Sequence, residues 1–185
     1  GSQLTKILST RNSAKHSPAL LPSGWLKFIN SCDADIVHLH WINGEMLSIS
    51  DIGKIDKPIV WTFHDMWPFC GAEHLAQDAR WVTGYQRANR PNYEKGFDLN
   101  RWSFNRKVKA WRVPIQIVTP STWLSDCAQE SFLMKTWPIK TIPNCLDTEV
   151  WKPVNKKAAR DVLGLPREVP IVLFGSYGSN SSFNK

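Results

Sequence analysis

Between Pro58 and Pro68 the chain reads PIVWTFHDMWP, an apolar run that stops at a His-Asp pair and passes at once into aromatic residues and proline. A buried strand ending in titratable side chains is how an open α/β fold presents a site. Strands of a parallel sheet are covered on both faces, so only the crevice beyond their carboxyl ends is open to ligands. Four further runs end in the same way: DIVHLHW at Asp35–Trp41, IQIVTPS at Ile115–Ser121, IKTIPN at Ile139–Asn144 and IVLFGS at Ile171–Ser176. Five polar clusters on one sheet edge predict an α/β fold with a ligand crevice.

Helical spacing separates these runs. Pro22–Ile29 predicts a short helix with Trp25, Phe28 and Ile29 on one face, Trp25 in the core. Glu45–Ile55 predicts a second, with Met46, Ile49, Ile52 and Ile55 inward, although Gly53 interrupts it. Cys70–Phe97 is polar, rich in Gly, Asn and Arg and without a sustained period, which suggests a lid or a partly disordered insert. Asp98–Arg112 resumes helical spacing through Leu99, Trp102, Val108 and Trp111, leaving Arg101, Arg106, Lys107, Lys109 and Arg112 mostly on the other faces. A solvated basic helix accounts for that pattern, and contact with anionic lipid head groups is the sharper account. Ser121 or Thr122 caps a helix through Leu124, Cys127, Ala128 and Phe132, with Cys127 in the core, and Asn155–Leu163 forms another, closed by Gly164. We read 1–20 as tag and lead-in, 21–152 as the main α/β domain, and 153–185 as a linker and the start of a second.

Composition narrows the class. A chain of 185 residues with 42% hydrophobic and 21% charged residues can bury a core. Ten tryptophans suit core packing or stacking on sugars. The formal charge of +7 favours acidic partners without choosing among them. Cys32, Cys70, Cys127 and Cys145 form no CxxC and no secreted disulfide framework, so a reduced, cytoplasmic setting is expected. No apolar stretch approaches the roughly 20 residues that span a bilayer, and no signal peptide is visible. The opening Gly1-Ser2 reads as a cloning scar, and the chain stops at Lys185 where a helix should follow, so truncation at both ends is expected.

His38 and His40 lie two apart on a strand and share a face. A metal would need a third ligand that the sequence does not impose, so His38 reads as a hydrogen-bonded structural histidine and His40 as a ligand contact beside Trp41, Asn43 and Gly44. His64 and Asp65 are the strongest candidates, the imidazole to donate to a sugar hydroxyl or phosphate, the carboxylate to order the loop. Adjacent residues on an extended chain diverge, so they are no dyad. The plain alternative is a capping Asp65 beside a packed His64. Neither a Ser-His-Asp order nor a GxSxG elbow is legible. GxGxxG and P-loop patterns are absent, although FGSYGSNSSFNK offers a glycine-rich turn and a lysine that could cradle phosphate.

In order, DIVHLHWINGE, PIVWTFHDMWPFCG, DLNRWSFNRKVKAW, IVTPSTWLSDCA and IPNCLDTEVWKP resemble the amino-terminal domain of a bacterial family 4 glycosyltransferase with the GT-B fold, from about Leu21 onward. The resemblance implies a Rossmann-like acceptor domain facing a nucleotide-sugar donor domain, and metal-free, cofactor-free transfer with retention of configuration. By position, it makes His64 the histidine facing the transferred sugar, Asp65 its support, and Asn144 the asparagine of a PNGxD motif in which Cys145 replaces glycine. It gives Gly175, Ser176 and Lys185 to the donor phosphates, Ser176 standing where many members have arginine. His40, Trp41, Asn43, Gly44 and Ser121 complete the expected substrate contacts. The expected partners are a nucleotide sugar and a glycan or lipid-linked acceptor in cell-surface polysaccharide assembly, at the cytoplasmic face of a membrane with peripheral contact to it. The chain alone is expected to be inactive. A non-catalytic carbohydrate- or nucleotide-binding module is the alternative, and nothing beyond charge and aromatics suggests nucleic acid.

Overall fold

The computed structural model describes residues 14–173. Short β-branched and aromatic runs pair as Val37–Leu39 (β1), Ile59–Thr62 (β2), Gln116–Thr119 (β3) and Ile139–Thr141 (β4), all parallel and in that spatial order. Register aligns Leu39 with Trp61, Trp61 with Ile117 and Ile117 with Ile139, which puts these four on one face. His38, Val60 and Gln116 align on the other, with Val118 and Lys140 one pleat further on.

Because the strand order advances one place at each crossover, right-handed connections lay every connecting helix on the same face. The helices are Trp25–Ser31 (α1), Ile49–Ile52 (α2), Arg80–Thr83 (α3), Leu99–Ala110 (α4) and Thr122–Glu130 (α5). Side chains of α2, α5 and Trp111, the cap of α4, bury Leu39, Trp61, Phe63 and Ile117 in one core. This corrects the expectation that both faces are covered: on the opposite face His38 and Lys140 are exposed, and Val60, Gln116 and Val118 are half-buried.

Trp61, Trp67 and Trp111 meet at the centre, Trp61 edge-on to Trp111 with centroids 5.4 Å apart. Each indole N–H donates to a backbone carbonyl: Trp61 to His40 at 3.0 Å, Trp67 to Ser17 at 2.8 Å, Trp111 to Ile49 at 2.9 Å. The core thus supplies both apolar burial and the polar ties that fix the loops around it.

Several expectations change. Trp25 is 54% exposed and packs on Phe28 rather than in the core, because α1 turns only Ile29 inward. The second helix starts late: Gly44 and Glu45 hold φ of +75° and +64°, which breaks any helix there, and Ser48 then caps α2 in a reciprocal box with Asp51. Met46 is consequently 48% exposed, whereas Leu47 takes an inward place. Cys127 is half-buried against the core.

The 70–97 excursion is packed rather than a loose insert. The buried Arg80 guanidinium bonds Asp78 at 3.0 Å and Glu94 at 2.7 Å, and Asn100 of α4 donates to Glu94 at 2.9 Å. A polar composition is packed here by ionic pairing instead of hydrophobic periodicity. On α4, Lys107 is fully buried, contrary to its expected place on a solvated face, and Arg106 donates to the carbonyls of Pro18 and Ala19.

The chain divides into two compact units, one ending at Asn144 and the other starting at Cys145. In the second, Asn155 caps Lys156–Val162 (α6), and Gly164 takes φ +64° beyond it. Residues 171–173 are exposed and join no strand, so the expected strand there is not formed among the described residues. Gly175, Ser176 and Lys185 lie outside the described residues.

Candidate active site

The carboxyl ends of β1 and β2 carry the site. The β1–β2 register pairs Leu39 with Trp61, so His64 lies two residues beyond the position level with His40, diagonal to it on the same side of the pleat, and His40 Nδ1 lies 3.0 Å from His64 Nε2 with the rings stacked at 5.3 Å. One of these nitrogens carries the proton and the other accepts it. The His38 ring lies 4.4 Å from that of His40, tilted by 42°, and its Nε2 is 2.8 Å from the Thr62 hydroxyl, as expected for a structural histidine. His64 is exposed, so its ring is available to a ligand.

Asp65 points away from His64, as the extended-chain argument requires. Its Oδ1 accepts from the Trp67 amide at 3.0 Å, and its Oδ2 accepts from Trp41 Nε1 at 3.2 Å and from His74 Nδ1 at 2.6 Å. A proton on Nδ1 leaves Nε2 as acceptor for the Ser17 hydroxyl at 2.7 Å. The Trp41 ring lies over His74 at 5.8 Å, with the Lys15 ammonium 4.6 Å from its centroid. Asp65 therefore staples three separate segments behind His64.

Asn43 is 5% exposed, and its Oδ1 has no partner among the described residues. A cavity of about 10 Å³ lies between Asn43, His40, Trp41, His64 and Asp65, the size of one water. Gly44 provides the left-handed turn after it. Ser121 caps α5, accepting from Leu124 N at 3.3 Å, and Asn144 is exposed beyond β4; neither bonds to the His64 cluster. The structure thus gathers His40, Trp41, Asn43, His64 and Asp65, and leaves Ser121 and Asn144 further along the same edge.

Beneath the site lies a buried polar group. Lys107 donates to the carbonyls of Trp67, of Cys70 at 3.1 Å and of Gly71 at 2.6 Å. Burial pushes its pKa down to about 7. Burial likewise raises the Glu73 carboxyl, against the opposing bond from the Tyr85 hydroxyl, and it raises the Cys70 thiol. Among the described residues, no group of three or more His, Cys, Asp or Glu side chains could hold a metal ion.

Sequence reading missed His74, Ser17 and Lys107. His74 reaches Asp65, and Ser17 reaches His74, from segments with no periodicity to phase them. Lys107 did carry a signal, since it lies four residues before Trp111 and three after Phe104 and so belongs to the inward stripe of α4.

A parallel α/β sheet with exposed imidazoles at its carboxyl edge defines a Rossmann-like protein with an edge-of-sheet site. A sequence model of Glycosyltransferase Family 4 matches residues 6–150, and the chain belongs to that family. No curated protein and no solved structure matches the chain. Its function is accordingly of the glycosyltransferase type, with a sugar donor and an acceptor as substrates.

Proposed function

We propose that this chain is the acceptor-side part of a retaining glycosyltransferase that moves a sugar from a nucleotide-diphosphate-sugar to a glycan or lipid-linked acceptor in cell-surface polysaccharide assembly. The observation that carries the reading is the exposed His64 ring held against His40, with Asp65 fixed from three sides behind it. A group placed this way meets the reacting sugar without reorganising.

In this reading His64 hydrogen-bonds the sugar as positive charge develops at its anomeric carbon. Asp65 keeps the loop in place and takes no proton. The departing phosphate receives the acceptor proton, so no glycosidase-like pair of carboxylates is required. Trp41, with His40, Asn43 and Gly44, faces the acceptor; Ser121 and Asn144 extend the contact surface, and Gly175, Ser176 and Lys185 hold the donor diphosphate. The reaction takes place at the cytoplasmic face of a membrane. No described helix is long and apolar enough to cross a bilayer, so the contact proposed is peripheral. Lys109 and Arg112 remain exposed for it, whereas Arg106 and Lys107 are engaged inward.

The test is nucleoside-diphosphate release by the full-length gene product from a panel of nucleotide sugars, with and without lipid-linked acceptors. Acceptor-dependent release with one donor supports transfer and names that donor. Carbohydrate binding without release supports the non-catalytic module, which Cys145 in place of the family glycine favours.

A further inference from the structure

We propose that Lys107 is a positioning residue for the His64–Asp65 site, its ammonium fixing the 66–71 turn through three backbone carbonyls. The proposal deepens the glycosyl-transfer reading and rests on it for its kinetic consequence alone.

A buried charge is costly unless every donor is used, and an apolar side chain would pack α4 at lower cost. Among the described residues, no carboxylate lies in bonding contact with Lys107. Its surroundings are acceptors: the carbonyls of Trp67, Cys70 and Gly71, the Trp67 ring 3.8 Å away and the Trp111 ring at 5.7 Å. Three N–H groups meet three carbonyls, a full set that the ammonium supplies when Lys107 is protonated and that a neutral amine, with two N–H groups, holds only in part. The turn itself is closed by the Phe69 and Cys70 amides donating to Met66 O at 3.2 and 3.0 Å, which leaves the carbonyls of 67, 70 and 71 to converge on Nζ.

From that turn the linkage to the site is short. Trp67 is held at its carbonyl by Lys107 and at its amide by Asp65, and the other Asp65 oxygen holds His74. Met66 N donates to His74 O at 3.1 Å, so the same turn fixes the His74 backbone. Asn100, two turns earlier on the same face of α4, accepts from Ala72 N at 3.2 Å and closes the far side. Release of the turn therefore moves both ends of the Asp65–His74 bond.

The experiment follows the His74 imidazole N–H proton, which a 2.6 Å bond to Asp65 shifts far downfield in the NMR spectrum. Lys107→Met is compared with Met134→Ala, a buried change in the same core. The proposal expects the resonance to move or vanish in Lys107→Met and to persist in Met134→Ala. An unchanged resonance in folded Lys107→Met overturns it. Should Lys107→Met not fold, the wild type decides. Below pH 7, where Lys107 holds its proton, slowly exchanging ammonium protons on Lys107 with couplings to the three carbonyls support the proposal, and exchange as fast as that of surface lysines overturns it. In the full-length enzyme kcat falls about tenfold with KM retained, whereas Met134→Ala keeps kcat. A wild type without transferase activity would remove the glycosyl-transfer reading and leave the NMR result to judge Lys107.

Discussion

His64 and Asp65 are neighbours with opposite tasks, and the extended backbone between them is the reason. One side chain emerges beside His40 and stays exposed; the other turns back to Trp41, Trp67 and His74. Both could be picked out in the sequence, because a strand that ends in titratable residues is visible in one dimension. Their partners were less visible: His74 meets Asp65, and Ser17 meets His74, only through tertiary folding. Asp65→Asn removes the charge that faces His74, and we expect a loss of about 1–3 kcal/mol in urea unfolding together with a changed His74 tautomer by NMR. Lys107 supplies a pH test. Its pKa falls from 10.5 in the unfolded chain to about 7 in the fold, through burial, with Cys70, Glu73 and Asp65 opposing the shift and Arg106 assisting it. Between those values the unfolded chain binds a proton that the folded chain has released, so stability rises with pH across the window and declines as pH falls toward 7. Denaturant unfolding between pH 7 and 9 should show that rise in wild type and a flatter slope in Lys107→Met.

At the scale of elements, α4 is the organiser. Arg106 holds the 18–19 carbonyls, Lys107 the 66–71 turn, and Asn100 the Ala72 amide and Glu94. The helix was legible from its apolar spacing, but its basic residues read as solvated because charge alone does not say which face they take. The 70–97 segment was illegible for a related reason: Arg80 and Glu94 pair across fourteen positions, and no local pattern encodes such a pairing. Burial works against the Arg80 charge, yet bonds to Asp78 and Glu94 outweigh it and raise its pKa. Arg80→Met strands those carboxylates, and a loss of about 3–5 kcal/mol is expected by thermal or urea unfolding. Gly71 packs so closely on α4 that an added Cβ would lie 2.6 Å from the Asn100 backbone. Gly71→Ala should lower the melting temperature, whereas Gly24→Ala, with open space around it, should not.

Across the whole molecule, strand runs fixed by β-branched residues made the parallel sheet readable, since each run buries one face and ends at one edge. What one dimension hid was the consequence of strand order. Advancing one place per crossover puts the helices on one side, leaving His38, Gln116 and Lys140 on an open face. Ser121 and Asn144 follow their strands as expected, yet the contacts that gather the site come from β1 and β2, where His64 lies diagonal to His40 and their rings meet. That pairing is the centre of the account, and it makes His64 the residue whose loss should stop sugar transfer while leaving the core intact. The decisive measurement is steady-state nucleoside-diphosphate release by the full-length gene product, wild type against His64→Ala, with unfolding midpoints taken on both. The account predicts a fall in kcat of about 100-fold at an unchanged midpoint; a His64→Ala enzyme that turns over like wild type would contradict it.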